Sequence, residues 1–179
     1  MKIVVLAGGT STERDVSLIT GKMVYGALKE NGHQVVLLDV FMGYNGEDCS
    51  NIFSLEKDWA EAVEAIKETN PDIEAIKKKR GGSGFFGPNV MQICHQADIV
   101  FMGLHGENGE DGRVQAALDL EGIKYTGTGP LGAAVSMDKG LSKQIFAGAG
   151  IPTPQGYTLK MGDVLPEDVR YPAVVKACN

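Results

Sequence analysis

An open α/β sheet of parallel strands is what the sequence predicts, on three observations. Two continuous apolar runs, KIVVLA (Lys2–Ala7) and QVVLLDV (Gln34–Val40), are joined by a stretch of helical spacing. A third run, ADIVFMGLHG (Ala97–Gly106), empties into a glycine-rich loop. Apolar runs that do not alternate belong to strands covered on both faces, and parallel strands linked through helices are covered that way.

The elements follow in order. After the first run, GGTSTERD breaks the strand, and from Glu13 to Glu30 the residues Val16, Ile19, Met23, Tyr25, Ala27 and Leu28 recur at roughly helical intervals. Asn31 and Gly32 close that helix. A polar stretch from Gly43 to Asn51 leads to an expected helix from about Leu55 to Thr69, with Trp59, Ala62, Val63 and Ile66 on one side. Lys77 to Asn89, in which KKKR runs into GGSG, is expected to be a solvated loop and a candidate for disorder, although its basic cluster could bind an anion. GRVQAALDLEG is a short helix ended by Gly122, and IKYTGTGP a fourth short strand and turn. Helical segments at Leu131–Val135 and Lys139–Ala149 lead to GIPTP, the best domain boundary. Residues 1–150 then form one unit and residues 151–179 the beginning of another, with QGYTLK and YPAVVKA as expected strands. The first unit reads as a Rossmann-like sheet, whose ligands lie at the carboxyl ends of its strands.

Composition narrows the function. The 179 residues are 43% hydrophobic and 22% charged, which is ordinary for a soluble globular chain. A net charge of −6 speaks against nucleic acid or an anionic membrane as partner. Cys49, Cys94 and Cys178 form no CxxC and leave an odd count, and His33, His95 and His105 lack zinc spacing. The first apolar run is too brief for a signal peptide and no run is long enough to span a bilayer, so a cytoplasmic, reduced protein without membrane partners is expected.

Four stretches could carry chemistry. In GGTSTERDVS (Gly8–Ser17), glycines at a strand end let the backbone approach a ligand and the following helix offers free N–H groups. Equally, Thr10, Ser11 or Thr12 could simply cap that helix, with Glu13 complementing its dipole. The stretch is not GxGxxG, and no Walker-type GxxxxGK[ST] occurs in the chain. GLHGENGEDGRVQ (Gly103–Gln115) resembles a calcium loop, but position 12 counted from Glu107 is Leu118 where a glutamate is needed. It is a solvated turn or, with His105 directly after a buried strand, part of a site. In SMDKGLSKQIF, Lys139 and Lys143 share a helical face, as solvated lysines commonly do. Lys176, inside PAVVKA, must reach solvent at a sheet edge or meet an anion, because an unpaired buried charge is costly.

Together these stretches resemble the D-alanine–D-alanine ligase family of the ATP-grasp superfamily. The resemblance runs from VVLAGGTSTERDVSL through FMGLHGENGEDGRVQAALDLEGIKYTGTGPLGAAVSMDKGLSKQIFAGAGIPTP to YPAVVK, leaving out the middle from about Met42 to Cys94. HGxxGEDGxxQ and MDKxxxK are its most specific parts. It implies a Rossmann-like domain followed by the start of an ATP-grasp domain, and an ATP-dependent, Mg²⁺-assisted ligation. One D-alanine carboxylate is phosphorylated and the amine of a second D-alanine attacks the acyl phosphate, giving a dipeptide for peptidoglycan. By the same resemblance Glu13 is catalytic and fixes the first D-alanine's ammonium. His105 lies beside that substrate, Val16 and Ser17 line its pocket, and Lys139 and Lys176 contact ATP. A homodimer through this domain is also implied.

The family continues past the lysine matching Lys176 with a proline and a serine- and glycine-rich loop, whereas this sequence reads ACN. The expectation is therefore an N-terminal portion, with no metal ligands of its own and inactive alone. Alternatives are a non-catalytic Rossmann-like module for dimerisation or small-molecule binding, a D-alanine–D-lactate ligase relative, and an NAD or nucleotide-sugar domain. The first expectation has a direct check: the 179-residue chain with ATP, Mg²⁺ and D-alanine should yield neither dipeptide nor ADP above background.

Overall fold

The computed structural model describes residues 1–46, 48–61, 63 and 69–178. Strands β1 (Lys2–Ala7), β2 (Gln34–Asp39) and β3 (Ile99–Met102) form a parallel sheet in the order β2-β1-β3. Helix α1 (Arg14–Glu30) links β1 to β2. Helices α2 (Ile73–Arg80) and α3 (Val90–Cys94) precede β3, and α4 (Arg113–Leu120), α5 (Pro130–Met137) and α6 (Lys139–Gly148) follow it.

The side-chain period of two explains why the strands carry no polar face. Val4 and Leu6, with Val36 and Leu38 beside them, point into a core closed by Ile93, Val114 and Leu118. Ile3, Val5 and Ala7, with Val35 and Leu37, point the other way, against Leu18, Val24, Tyr25 and Leu28 of α1. In-register pairing of Lys2 with Gln34 through Ala7 with Asp39 brings the two strands to the same carboxyl edge. Helix α1 comes so close to the sheet that a Cβ on Gly21 would lie 2.7 Å from Ala7 Cβ and 2.8 Å from Leu37 Cδ1.

Several sequence expectations need correction. Leu55–Asp58 is irregular and Trp59–Glu61 a turn, so the expected helix does not begin at Leu55; residues 62 and 64–68 lie outside the described residues. Asp58 Oδ1 accepts the Ala60 N–H at 3.0 Å, the local bond by which aspartate competes with a helix. Lys77–Arg80, expected in a loop, is the last turn of α2. Asp72 caps the helix by accepting from Ala75 N at 2.9 Å, and the basic residues complement the carbonyl end.

The fourth strand is reduced to a bridge between Val100 and Tyr125. The Thr126 hydroxyl, not a backbone carbonyl, accepts from Met102 N at 3.1 Å, and Gly127 turns away at φ +101°. Neither QGYTLK nor YPAVVKA is a strand; Val174 and Val175 are 81% and 97% exposed. An apolar run becomes a strand only where another edge takes up its backbone groups, and no described strand offers one there. The helices expected at Leu131–Val135 and Lys139–Ala149 are α5 and α6.

Gly21→Ala tests the helix–sheet contact. Helix propensity alone favours alanine by about 1 kcal/mol; the overpacked contact is expected to reverse the sign and cost about 1–3 kcal/mol, read from urea denaturation.

Candidate active site at the carboxyl edge of the sheet

β1 is followed by Gly8 and Gly9, both at positive φ (+77° and +86°), and the chain turns through Ser11 into α1. The Ser17 hydroxyl, fully buried, accepts from Gly8 N at 2.9 Å and donates to Gly103 O at 2.7 Å. One side chain thus ties the exit of β1 to the exit of β3. Ser11 Oγ donates to His105 O at 2.7 Å, a second tie between the same loops. The N-cap position of α1 is Glu13 itself and receives no side-chain cap. Ser11 Oγ accepts from Glu13 N at 3.2 Å instead, so the expected capping by Thr10, Ser11 or Thr12 becomes a turn ahead of the helix.

Glu13 and Arg14, adjacent in sequence, leave the helix in different directions. Arg14 is buried and donates to Gly9 O at 2.6 Å and to the Asp39 carboxylate, with which it forms an ion pair. Asp39 Oδ1 also accepts from Phe41 N at 2.9 Å and Met42 N at 3.0 Å. Glu13 is exposed, and its carboxylate lies over Gly106, where an added Cβ would stand 2.7 Å from Oε2. Among the described residues Glu13 has no ion-pair partner, since Arg14 is committed to Asp39. An unpaired carboxylate at the carboxyl edge of such a sheet is suited to hold an ammonium.

His105 is half-buried, its Nε2 3.0 Å from Thr20 Oγ1. Glu13, Val16 and Thr20 follow one another at helical i, i+3 and i+7 spacing, so Val16, 39% exposed, lies between the two groups. The geometry therefore brings together Glu13, Val16 and His105. Ser17 belongs to the same cluster, but both bonding capacities of its hydroxyl are used on backbone.

The acids of the 107–111 loop hold the loop. Glu110 Oε2 accepts from Gly106 N at 2.7 Å, Asp111 Oδ2 from Asn108 N at 2.9 Å, and Arg113 pairs with Glu107 at 2.9 Å and Asp111 at 3.0 Å. Gln115, buried, donates to Gly109 O at 2.7 Å. No group of three or more His, Cys, Asp or Glu side chains that could hold a metal occurs among the described residues.

Lys139 and Lys176 fall in a second group. Lys139 begins α6, and both its N–H (3.0 Å) and its Nζ (3.4 Å) donate to Cys178 O, two residues beyond Lys176. The Cys178 thiol donates to Asp138 Oδ1 at 3.3 Å. The Leu141 N–H first, and then that thiol, hold the Asp138 carboxyl below its ordinary range. Lys139 and Lys176 are both exposed.

Sequence reasoning missed Arg14, Asp39 and Thr20, and gave Ser11 only a capping role. Asp39 was discoverable: a carboxylate at the end of an apolar run needs a cation as much as Lys176 needs an anion.

A parallel α/β sheet with glycine loops at its carboxyl edge places the chain among the open α/β domains, whose ligands lie at that edge. The comparisons make this specific. Residues 2–128 match the family model described as the D-ala D-ala ligase N-terminus. The chain is 46% identical over 158 residues to a D-alanine–D-alanine ligase of Lacticaseibacillus casei (strain BL23), covering 86% of this chain and 43% of that protein. It is 42% identical over 186 residues to the Pediococcus pentosaceus ligase, covering 98% and 52%. The crystal structure of the Bacillus anthracis ligase complexed with ATP superposes with a TM-score of 0.58 at 27% identity, covering 94% of this chain and 43% of that one. The chain belongs to the D-alanine–D-alanine ligase N-terminal family and spans about half the length of the curated relatives it matches.

Removing the carboxylate of Asp39 (Asp39→Ala) strands a buried guanidinium and is expected to cost about 3–5 kcal/mol. Arg14→Leu combined with Asp39→Leu should cost less than Asp39→Ala alone, as denaturation curves of the variants would reveal.

Proposed function

We propose that this chain supplies the first-substrate side of an ATP-dependent ligase that joins two D-alanines. The observation that carries the reading is the Glu13 carboxylate, which lies over Gly106, the residue after His105, with no ion-pair partner among the described residues, in a chain of the ligase family. Residues 1–150 hold the amino acid and residues 151–179 begin the unit that grips the nucleotide.

In this reading Glu13 takes the ammonium of the first D-alanine, which presents that substrate's carboxylate toward the nucleotide. Val16 lines the pocket, and His105, oriented by Thr20, supplies a second polar wall. Ser17 acts through the backbone it holds, keeping Gly8 and Gly103 where the loops converge. A carboxylate oxygen of D-alanine attacks the γ-phosphorus of ATP, and the bond to the β,γ-bridging oxygen breaks to release ADP. The amine of the second D-alanine then adds to the acyl carbon, loses a proton and expels phosphate. Lys139 and Lys176 offset phosphate charge, and positioning with neutralisation is what phosphoryl transfer chiefly requires. Mg²⁺ would neutralise further phosphate charge when bound, with ligands from outside the residues described. Such an enzyme works where ATP is made, in the cytoplasm, and its product serves the cell wall. Self-association through this domain belongs to the same proposal, and Met23 (71%) and Leu131 (79%) are exposed apolar residues available to it.

Titrating the isotope-labelled chain with D-alanine is expected to move amide resonances at Gly8–Val16 and Gly103–Gly106. D-lactate, which lacks the ammonium, should not move them, and Glu13→Gln should weaken the response about tenfold or more, as loss of a charged hydrogen-bond partner does. Shifts confined elsewhere, or unaltered in Glu13→Gln, would refute the assignment.

A further inference from the structure

The glycine-rich loop after α2 lies outside every motif used so far, yet it is anchored by one side chain. Arg80 sets its guanidinium 3.9 Å from the centre of the Phe41 ring. Its Nε donates to Gly81 O (3.0 Å), Nη1 to Phe41 O (3.3 Å) and Phe85 O (3.5 Å), and Nη2 to Gly84 O (2.6 Å). A planar fork with fixed donors can serve carbonyls on two segments at once; an ammonium cannot. Gly87 N donates to Val40 O at 2.9 Å and closes the other end of the loop.

The loop so held carries Phe85 to the carboxyl edge. A Cβ on Gly9 would meet Phe85 Cζ at 3.7 Å, Val40 Cγ1 at 3.5 Å and Leu104 Cδ2 at 3.9 Å. Phe85 therefore stands where the exits of β1, β2 and β3 converge, next to the residue before His105. It also packs on Phe41, with ring centres 6.4 Å apart, and stays half-buried. The contacts continue inward: Phe41 N donates to Asp39, and Asp39 holds Arg14, which grips Gly9 O.

We propose that Arg80 is a positioning residue of the carboxyl-edge site, a clip that holds loop 81–87 so that Phe85 forms the apolar wall beside Gly9 and Leu104. This rests on the D-alanine reading for the identity of the ligand, but the clip itself does not. A small aliphatic amino acid whose ammonium is on Glu13 has a methyl group to bury, and the Phe85 ring lies within van der Waals reach of a Cβ on Gly9.

Two measurements on the full chain decide it. In Arg80→Gln, hydrogen exchange at the Gly87 amide should accelerate about tenfold or more while the β1–β2 ladder amides keep their rates, the pattern of local opening. Arg80→Lys should behave like the glutamine variant. Unchanged exchange at Gly87, rescue by lysine, or acceleration of the sheet amides in parallel would overturn the clip. In the second measurement, Phe85→Ala should weaken D-alanine binding about tenfold, the scale of a lost apolar pocket contact, and Phe85→Tyr should retain it. If the unaltered chain binds D-alanine and Phe85→Ala binds it equally well, the wall is wrong and the ligand assignment stands. If the unaltered chain shows no D-alanine response, the ligand assignment and the wall both fall, and the exchange data alone judge the clip.

Discussion

Burying a guanidinium obliges the surrounding chain to answer it, and at Arg14 that obligation organises the carboxyl edge. The side chain is nearly closed off from water, so it must find an anion and acceptors within the protein. Asp39 supplies the anion from the end of β2, and Gly9 O an acceptor from the loop after β1. The same carboxylate then collects the N–H groups of Phe41 and Met42 as the chain leaves the sheet. One ion pair thereby sets where two strand exits and the first turn of α1 lie relative to one another. Ser17 adds the third exit, because its hydroxyl has one partner on Gly8 and the other on Gly103.

This arrangement separates structural charge from charge left for a ligand. Successive helix residues point about 100° apart, so Arg14 can face the sheet while Glu13 faces the cleft. Arg14 is paired with Asp39, and among the described residues Glu13 has no ion-pair partner. The acids of the 107–111 loop are placed oppositely: each is engaged by Arg113 or by a loop N–H, and they shape the turn that carries Gly106 under Glu13.

Much of the fold was legible because burial on both faces leaves a plain record. The first two runs became β1 and β2, the helical repeat became α1, and the helices expected at Leu131–Val135 and Lys139–Ala149 became α5 and α6. The misreadings share a physical cause. The run at Leu55 carries apolar residues at helical intervals, but Asp58 satisfies its own neighbourhood first. KKKR reads as a solvated run, and the position of Phe41, 39 residues earlier, helps turn Arg80 into an anchor. YPAVVKA has the composition of a strand, but none of the described strands pairs with it.

By itself, the sequence determined the parallel sheet and the helix that follows its first strand, while Glu13, Val16, Ser17 and His105 were singled out by resemblance to the ligase family. Periodicity, glycine position and motif spacing are local properties, and a linear chain records them directly. The tertiary structure decided which of those side chains are free. Ser17 was spent on backbone, Arg14 on Asp39, and the loop acids on Arg113 and N–H groups, leaving Glu13 open. Whether a polar group has a partner depends on residues far away in sequence, and that becomes definite only when the chain has closed on itself.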